Sequence, residues 1–455
     1  KKMNEKFINY RNLYPEFLYD SYEIQNNVDN YTIIYNYIIP YLEKFSHKII
    51  IPKYIVKRKN IDDNFLNNIV FHLGIVEAIS YYKCVCSKNF VIKCGSLCLE
   101  QAMWYKKLYY NGLGEFLYRN NIEINEEEFV NFIFNDDYKF SKVSFESNGN
   151  LICVGGGKDS CVSLELLKNE KNNSCFLMNA KRPMLECAKE AGILESDIYC
   201  VDRIIDKEKL IKLNNEGLLN GHIPISSVIA FLSYLVAYLS QKKYIVLSNE
   251  CSANESYVKG KNINHQYSKS YEFESDFYNF TTTYFSSDIK YFSLLRPLSE
   301  LEISYIFSKL KNYHSIFKSC NLGSKFENWK WCLNCSKCLF AYIILSPFLT
   351  CKELNNIFGE NLLDKKDLLN DFIGLIGGAD SKPFECVGTY DEVIYSINKV
   401  LGKYLKNNET LPYLLEYYYN KYGYKELDDS ILKTYNKENN LDLRFEKIIK
   451  EAMYE

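Results

Sequence analysis

One short stretch constrains this 455-residue chain more than any other: Leu151-Ile-Cys-Val-Gly155-Gly156-Gly157-Lys158-Asp159-Ser160. An apolar run, three glycines and then Cys161-Val-Ser-Leu-Glu-Leu-Leu-Lys168, apolar at helical spacing, read as strand, tight loop and helix. Glycines at such a turn let backbone N–H groups approach a ligand with no Cβ in the way. The start of the following helix adds partial positive charge, and Lys158 adds a full one. That combination suits phosphate. The spacing is neither that of Walker A nor that of the dinucleotide GxGxxG loop.

From residue 149 the β-α pattern repeats. Cys175–Met178, Ile198–Val201 and Tyr244–Leu247 read as strands, and 184–191 and 226–240 as helices. Alternation of this kind predicts a parallel sheet, with ligands at the carboxyl ends of its strands. The polar clusters fall at such ends: Gly155–Ser160, Asn179-Ala-Lys181-Arg182, Asp202-Arg203 and Ser248-Asn249-Glu250. A long polar loop follows, with His265 and Lys269 in it. Tyr291–Leu295 reads as a further strand, and Arg296-Pro297-Leu298 as the opening of a helix with proline in its first turn.

The expected organisation is an α+β N-terminal region (1–148), an α/β phosphate-binding domain (149–345) and a helical C-terminal region (346–455). In the first, 31–39 and 48–51 read as strands and 64–82 as a helix. Trp104-Tyr-Lys106-Lys107 runs into Gly112-Leu-Gly114-Glu115 and reads as a cationic substrate wall or as an amphipathic helix with solvated lysines. In the last, Lys382-Pro-Phe-Glu385-Cys386 lies in a loop longer than a plain connection between helices requires.

Net charge is −2 and no block of five basic residues occurs, which argues against a nucleic-acid partner. Sixteen cysteines, with no apolar leader in Lys1-Lys-Met-Asn-Glu-Lys-Phe7, predict a reducing, cytoplasmic setting and no membrane association. Cys332, Cys335 and Cys338 are spaced by two residues each, with Cys320 twelve positions earlier. Four thiolates make a closed site for structural zinc, or hold an iron–sulfur cluster.

The Gly155–Ser160 loop resembles the SGGxDS loop of the PP-loop ATP pyrophosphatases, with Gly155 where that family usually has serine. Within that superfamily, Gly112-Leu-Gly-Glu-Phe116, Asn220-Gly-His-Ile-Pro224, Ser248–Glu255, Asn264–Ser270, the cysteine cluster and Lys382–Gly388 together resemble the UDP-N-acetylmuramoyl-L-alanyl-L-glutamate epimerases. The resemblance implies a parallel-sheet, adenine nucleotide alpha hydrolase-like fold. It implies inversion of the terminal glutamate of a UDP-sugar dipeptide, with ATP split to AMP and pyrophosphate and magnesium required. Gly155, Gly156, Gly157, Lys158, Asp159 and Ser160 would bind phosphate, Asp159 beside magnesium. Arg296 would face the α-phosphate. The α-proton base is then one of His265, Cys386, Glu250 and Glu385, with His222 discounted as part of a helix start. Lys106, Lys107, Lys181, Asn249 and Lys269 are the substrate-contact candidates. A similar four-cysteine arrangement in 7-cyano-7-deazaguanine synthase favours zinc. The rival readings are an amidating or nitrile-forming enzyme of that type, a tRNA thiolase and a non-catalytic nucleotide sensor.

Overall fold

The alternation from residue 149 onward builds one half of a ten-stranded sheet. The computed structural model describes residues 2–139 and 142–454, so the outer limits of the expected organisation, Lys1 and Glu455, lie outside the described residues. β1 (Glu16–Asn26), β2 (Asn30–Ile39) and β3 (Glu43–Pro52) form an antiparallel meander, and β4 (Asn89–Ile92) and β5 (Asn131–Ile133) extend it in parallel beside β1. β6 (Asn150–Cys153), β7 (Asn173–Met178), β8 (Ile198–Ile204), β9 (Tyr244–Leu247) and β10 (Lys290–Ser293) are mutually parallel. The order across the sheet is β10-β9-β6-β7-β8-β3-β2-β1-β4-β5.

Within the parallel half, the chain moves outward from β6 through β7 to β8 and then returns to place β9 on the other side of β6. The point of reversal lies between β6 and β9, and in sheets of this kind the crevice beyond that point is where ligands bind. Both the Gly155–Ser160 loop and Ser248-Asn249-Glu250 emerge there.

The sheet also runs across residue 148. β3 pairs antiparallel with β8, with Ile49 opposite Arg203. Arg203, expected at a ligand-binding strand end, turns instead to Glu77, which accepts from its Nε through both carboxylate oxygens at 3.0 Å, beside buried His47. That strand end therefore joins the two halves of the sheet.

Alternation along the strands divides the interior into two cores. Leu151, Phe176 and Ile245 pack on one side, against helix Ile225–Leu239 and the tyrosine-rich N-terminal strands. Ile152, Leu177 and Val246 pack on the other, against helices Ser336–Leu345 and Tyr390–Lys406. The helix at 225–239 is apolar all round, as burial on every face requires. Among the described residues no helix is long and apolar enough to cross a membrane.

One boundary differs from expectation. The strand before Arg296 ends at Ser293, and the next helix is Glu300–Ser308, opened by Ser299 and Glu302 in a reciprocal capping box rather than by Pro297.

Candidate active site

The strand β6 ends in the glycine loop, and helix Lys158–Leu166 starts directly after it. Gly156 has φ of +88°, a left-handed conformation suited to glycine. A Cβ added at Gly155 would meet nothing within 4 Å, so this position faces open space and a serine would fit it. Among the described residues, the N–H groups of Gly155 through Ser160 donate to no protein acceptor. They form a row of free donors at a helix N-terminus, the arrangement that takes an anion. Ser160 Oγ donates to the Gly157 carbonyl.

Lys158 does not point freely into this space. Its Nζ is buried between Asp159, at 2.7 Å, and Glu300. Burial alone would lower its pKa, but the two carboxylates hold it well above the usual lysine range. Glu250, at the end of β9, adds a further carboxylate to the same region, and its Oε2 accepts from the Ser252 N–H and hydroxyl. Burial, then Glu300 and Glu392, push Glu250 up to about 8. Burial and Asp159 likewise raise Glu300. These carboxylates resist one another's ionisation, and the Lys158 ammonium offsets part of that at Glu300.

A second cluster adjoins the first. Loops 248–270 and 377–389 are zipped together by a bridge between Val258 and Ser381 and by the Lys382 N–H on the Tyr257 carbonyl. Gln266 donates to the Tyr257 hydroxyl, which donates in turn to the Glu385 carbonyl at 2.6 Å. This brings Cys386, half-buried, against Lys269, whose Nζ is 3.2 Å from its sulfur, and beside His265. The Lys337 ammonium holds the Cys386 carbonyl. Burial would push the thiol up, but Lys269, His265 and Lys337 overcome it and hold Cys386 down at about 5. His265 responds in the opposite sense: burial would lower it, but Cys386 and Glu115 raise it to about 9. Both shifts favour the thiolate–imidazolium form of the pair.

Glu115 completes the cluster, and the sequence reading assigned it no role. Its Oε2 lies 2.5 Å from His265 Nδ1 and 3.7 Å from His222 Nδ1, and Arg119 Nε holds its other oxygen at 2.8 Å. The contact exists because Gly112 lets the end of helix Leu99–Gly112 rest on Pro224; a Cβ there would fall 2.6 Å from the proline ring. His222, discounted from the sequence, lies against His265 with ring centroids 4.3 Å apart and the ring planes tilted by 34°. Burial and the His265 charge hold it down at about 4, so it stays neutral. The Glu115, His222 and His265 donor atoms lie within 4.8 Å of one another, but the carboxylate is already committed to His265 and Arg119. A cavity of about 760 Å³ opens beside this cluster, lined by Tyr110, Gly114, Tyr118, Lys261 and Ile263. Another, of about 720 Å³, lies at the opposite edge of the parallel strands around Asn148, Asn172 and Lys242, away from these groups.

The remaining candidates divide. Glu385 sits in the second cluster, its Oε2 accepting from Asn321 at 2.7 Å, with burial and Cys386 raising its pKa. Asn249 donates to Ser293 Oγ at the end of β10. Lys181 reaches the Ser324 carbonyl beside the cysteine cluster. Lys106 donates to the Glu127 carbonyl, and Lys107 pairs with Glu272 and Asp276. These partners belong to neither cluster, which favours the amphipathic-helix reading of that stretch over the substrate wall. Arg296 is a correction. It is fully buried, and its guanidinium is spent on Glu274 at 2.9 Å, the Glu250 carbonyl at 2.9 Å and the Lys269 carbonyl at 2.6 Å. It holds the backbones of Glu250 and Lys269 in place rather than facing a phosphate.

The cysteine cluster behaves as its spacing predicts. Cys320 and Cys335 sulfurs lie 3.6 Å apart and those of Cys332 and Cys338 3.7 Å apart. Zinc–sulfur bonds of about 2.3 Å put tetrahedral sulfurs about 3.8 Å apart. Backbone N–H groups of Gly323, Asn334 and Cys338 point at three of the sulfurs. The segment before it donates the Lys318 N–H to the Gly156 carbonyl at 2.8 Å, so the cluster buttresses the glycine loop.

The MurL N-terminal domain model matches residues 9–294, and the MurL C-terminal domain model residues 316–411. Relatives carrying the name UDP-N-acetyl-alpha-D-muramoyl-L-alanyl-L-glutamate epimerase include one from Xanthomonas oryzae pv. oryzae, 34% identical over 325 residues and 70% of each chain. One from Salinispora tropica is 31% identical over 74% of each chain, and one from a Micromonospora species is 30% identical over 73% of this chain and 74% of its own. No solved structure matches the chain.

Proposed function

Since this chain belongs to the family of UDP-N-acetyl-alpha-D-muramoyl-L-alanyl-L-glutamate epimerases, we propose that it inverts the terminal L-glutamate of UDP-MurNAc-L-Ala-L-Glu at the expense of ATP. The observation that carries this reading is a loop of free backbone donors at the end of β6, next to β9, whose Glu250 shares Arg296 with Lys269 of the charged Cys386–His265–Glu115 cluster. The first is suited to phosphate and the second to moving a proton.

The chemistry requires both. A carboxylate activates its own Cα–H poorly, because removing that proton places a second negative charge beside the first. Adenylation of the carboxylate removes this obstacle, so ATP as co-substrate supplies the activation and leaves as AMP and pyrophosphate. The free N–H groups of Gly155 to Ser160 would receive the phosphates. Asp159, in the first turn of the helix after the loop, would stand beside magnesium, which supplies neutralising charge to the phosphates when bound. The α-proton then leaves and returns on the other face at the His265–Cys386 pair, where Glu115 fixes the imidazole through Nδ1. The cavity beside Gly114 and Ile263 gives room for a bulky UDP-sugar peptide. Cys320, Cys332, Cys335 and Cys338 would hold structural zinc.

The test is incubation with ATP, magnesium and the UDP-sugar dipeptide in deuterium oxide, reading AMP, pyrophosphate, D-glutamate after hydrolysis and deuterium at Cα. Deuterated D-glutamate together with AMP is the expected result. AMP without inversion would replace this reading with the amidating one, and no AMP would reject ATP chemistry here.

A further inference from the structure

Within that reading, Cys386 and His265 need not share one task, and their surroundings divide the work. Cys386 lies between cations. Lys269 Nζ touches its sulfur at 3.2 Å, His265 lies beside it, and Lys337 grips its carbonyl. The Lys269 backbone is tied to that of Glu250 at the end of β9, because Arg296 donates to both carbonyls, at 2.6 and 2.9 Å. A thiolate held by three cations is a weak base for a carbon acid. It loses much less as a nucleophile, because nucleophilicity falls only by about 0.4–0.5 of the fall in basicity. The groups that depress Cys386 therefore unsuit it to take the α-proton while leaving it able to attack an activated acyl group.

We propose that Cys386 is the acyl carrier of the reaction: its sulfur displaces AMP from the adenylated glutamate, and inversion takes place on the resulting thioester. The proposal rests on the ATP-dependent epimerase reading above. In the first step the Sγ–C bond forms, the bond from the acyl carbon to the AMP oxygen breaks, and AMP leaves with that electron pair. Thioester formation removes the negative charge that kept His265 protonated. The imidazolium then gives up its proton to solvent and, still held by Glu115 at 2.5 Å, becomes the base. The Cα–H proton passes to His265 and its electron pair into the thioester enolate. A proton from solvent is added to the opposite face, His265 keeps the Cα proton and is imidazolium again, and water attacks the acyl carbon and expels the Cys386 thiolate. The sum is one ATP and one water converted to AMP and pyrophosphate, with the thiolate regenerated. One charge thus times two events: His265 is not free to accept a proton until the substrate is attached.

The experiment is a rapid-quench single turnover of the native protein with ATP, magnesium and UDP-MurNAc-L-Ala-L-[14C]Glu. Expected are AMP release ahead of D-glutamate, radiolabel in acid-precipitated protein that neutral hydroxylamine removes, and the acyl mass on the peptide containing Cys386. The variant Cys386→Ser should retain dipeptide-dependent exchange of labelled pyrophosphate into ATP, while deuterium uptake at Cα falls by at least about 100-fold. Native AMP formation with no protein-bound label at any time overturns the proposal and leaves the adenylating epimerase standing. So does deuterium uptake by Cys386→Ser within about tenfold of native. Absence of dipeptide-dependent pyrophosphate exchange in the native protein would instead remove the parent reading, and this proposal with it.

Discussion

At the scale of single residues, the site is shaped by groups whose charge the fold opposes. Glu250 is pushed up to about 8 by burial and by Glu300 and Glu392, and Glu392 rises to about 7 through burial and Glu300. A carboxyl raised in the folded state binds its proton more tightly there than in the unfolded chain. Its stabilising effect is therefore complete below the unfolded value near 4.5 and is lost as pH rises through the folded value. Cys386, held at about 5, and His265, raised to about 9, act in opposite directions over the pH range they share and largely offset each other. Without nucleotide and magnesium, thermal stability should thus decline from about pH 5 to about pH 8. Replacing Glu250 with glutamine keeps an acceptor for the Ser252 N–H and removes one ionisation. Glu250→Gln should lessen the decline by on the order of a few kcal/mol and melt higher than native at pH 8.5. Identical melting profiles of the two proteins from pH 5 to 8.5 would show that Glu250 does not titrate in this window.

At the scale of elements, legibility tracked distance along the chain. The glycine loop and its helix lie within about twenty residues, so local pattern was enough to place them at the end of β6. The cysteine spacing was legible for the same reason. Glu115 and His222 were not, because their meeting depends on Gly112 resting on Pro224, more than a hundred positions away. β1 escaped notice because its buried and exposed positions do not alternate cleanly. Arg296 shows the same limit in reverse: its place after a strand was read correctly, but its partner Glu274 lies on helix Tyr271–Tyr284 and could not be inferred from spacing. That pairing ties the helix to the ends of β9 and β10, since Glu274 also accepts the Ser293 N–H and Arg296 holds the Glu250 carbonyl. Arg296→Met leaves a buried carboxylate unpaired and should cost about 3–5 kcal/mol in urea unfolding. Arg296→Met combined with Glu274→Gln should recover much of that loss. If Arg296→Met instead keeps native stability and only weakens ATP binding, the arginine faces phosphate after all.

At the scale of the whole molecule, the two cores meet the site from opposite faces of one sheet, and the cysteine cluster ties the second core to the chemistry. Helix Ser336–Leu345 carries Cys338 and is buried along its length, so the cluster is anchored in that core. From there, Lys318 holds the Gly156 carbonyl, Lys181 reaches the Ser324 carbonyl, and Asn321 holds Glu385, the neighbour of Cys386. One segment, 318–338, therefore braces both the glycine loop and the loop that carries Cys386. Four thiolates without a metal would repel one another and loosen it. The purified protein should contain about one zinc per chain by elemental analysis, as a closed four-cysteine site requires. Cys332→Ser, at the half-buried member of the cluster, should lower zinc content and raise the KM for ATP and the KM for the dipeptide together, because both loops lose the same brace. A purely local role in folding predicts a different pattern: less folded protein, with both KM values unchanged in the fraction that remains active. If Cys332→Ser loses zinc while both KM values stay native, the cluster stabilises the second core without positioning the site.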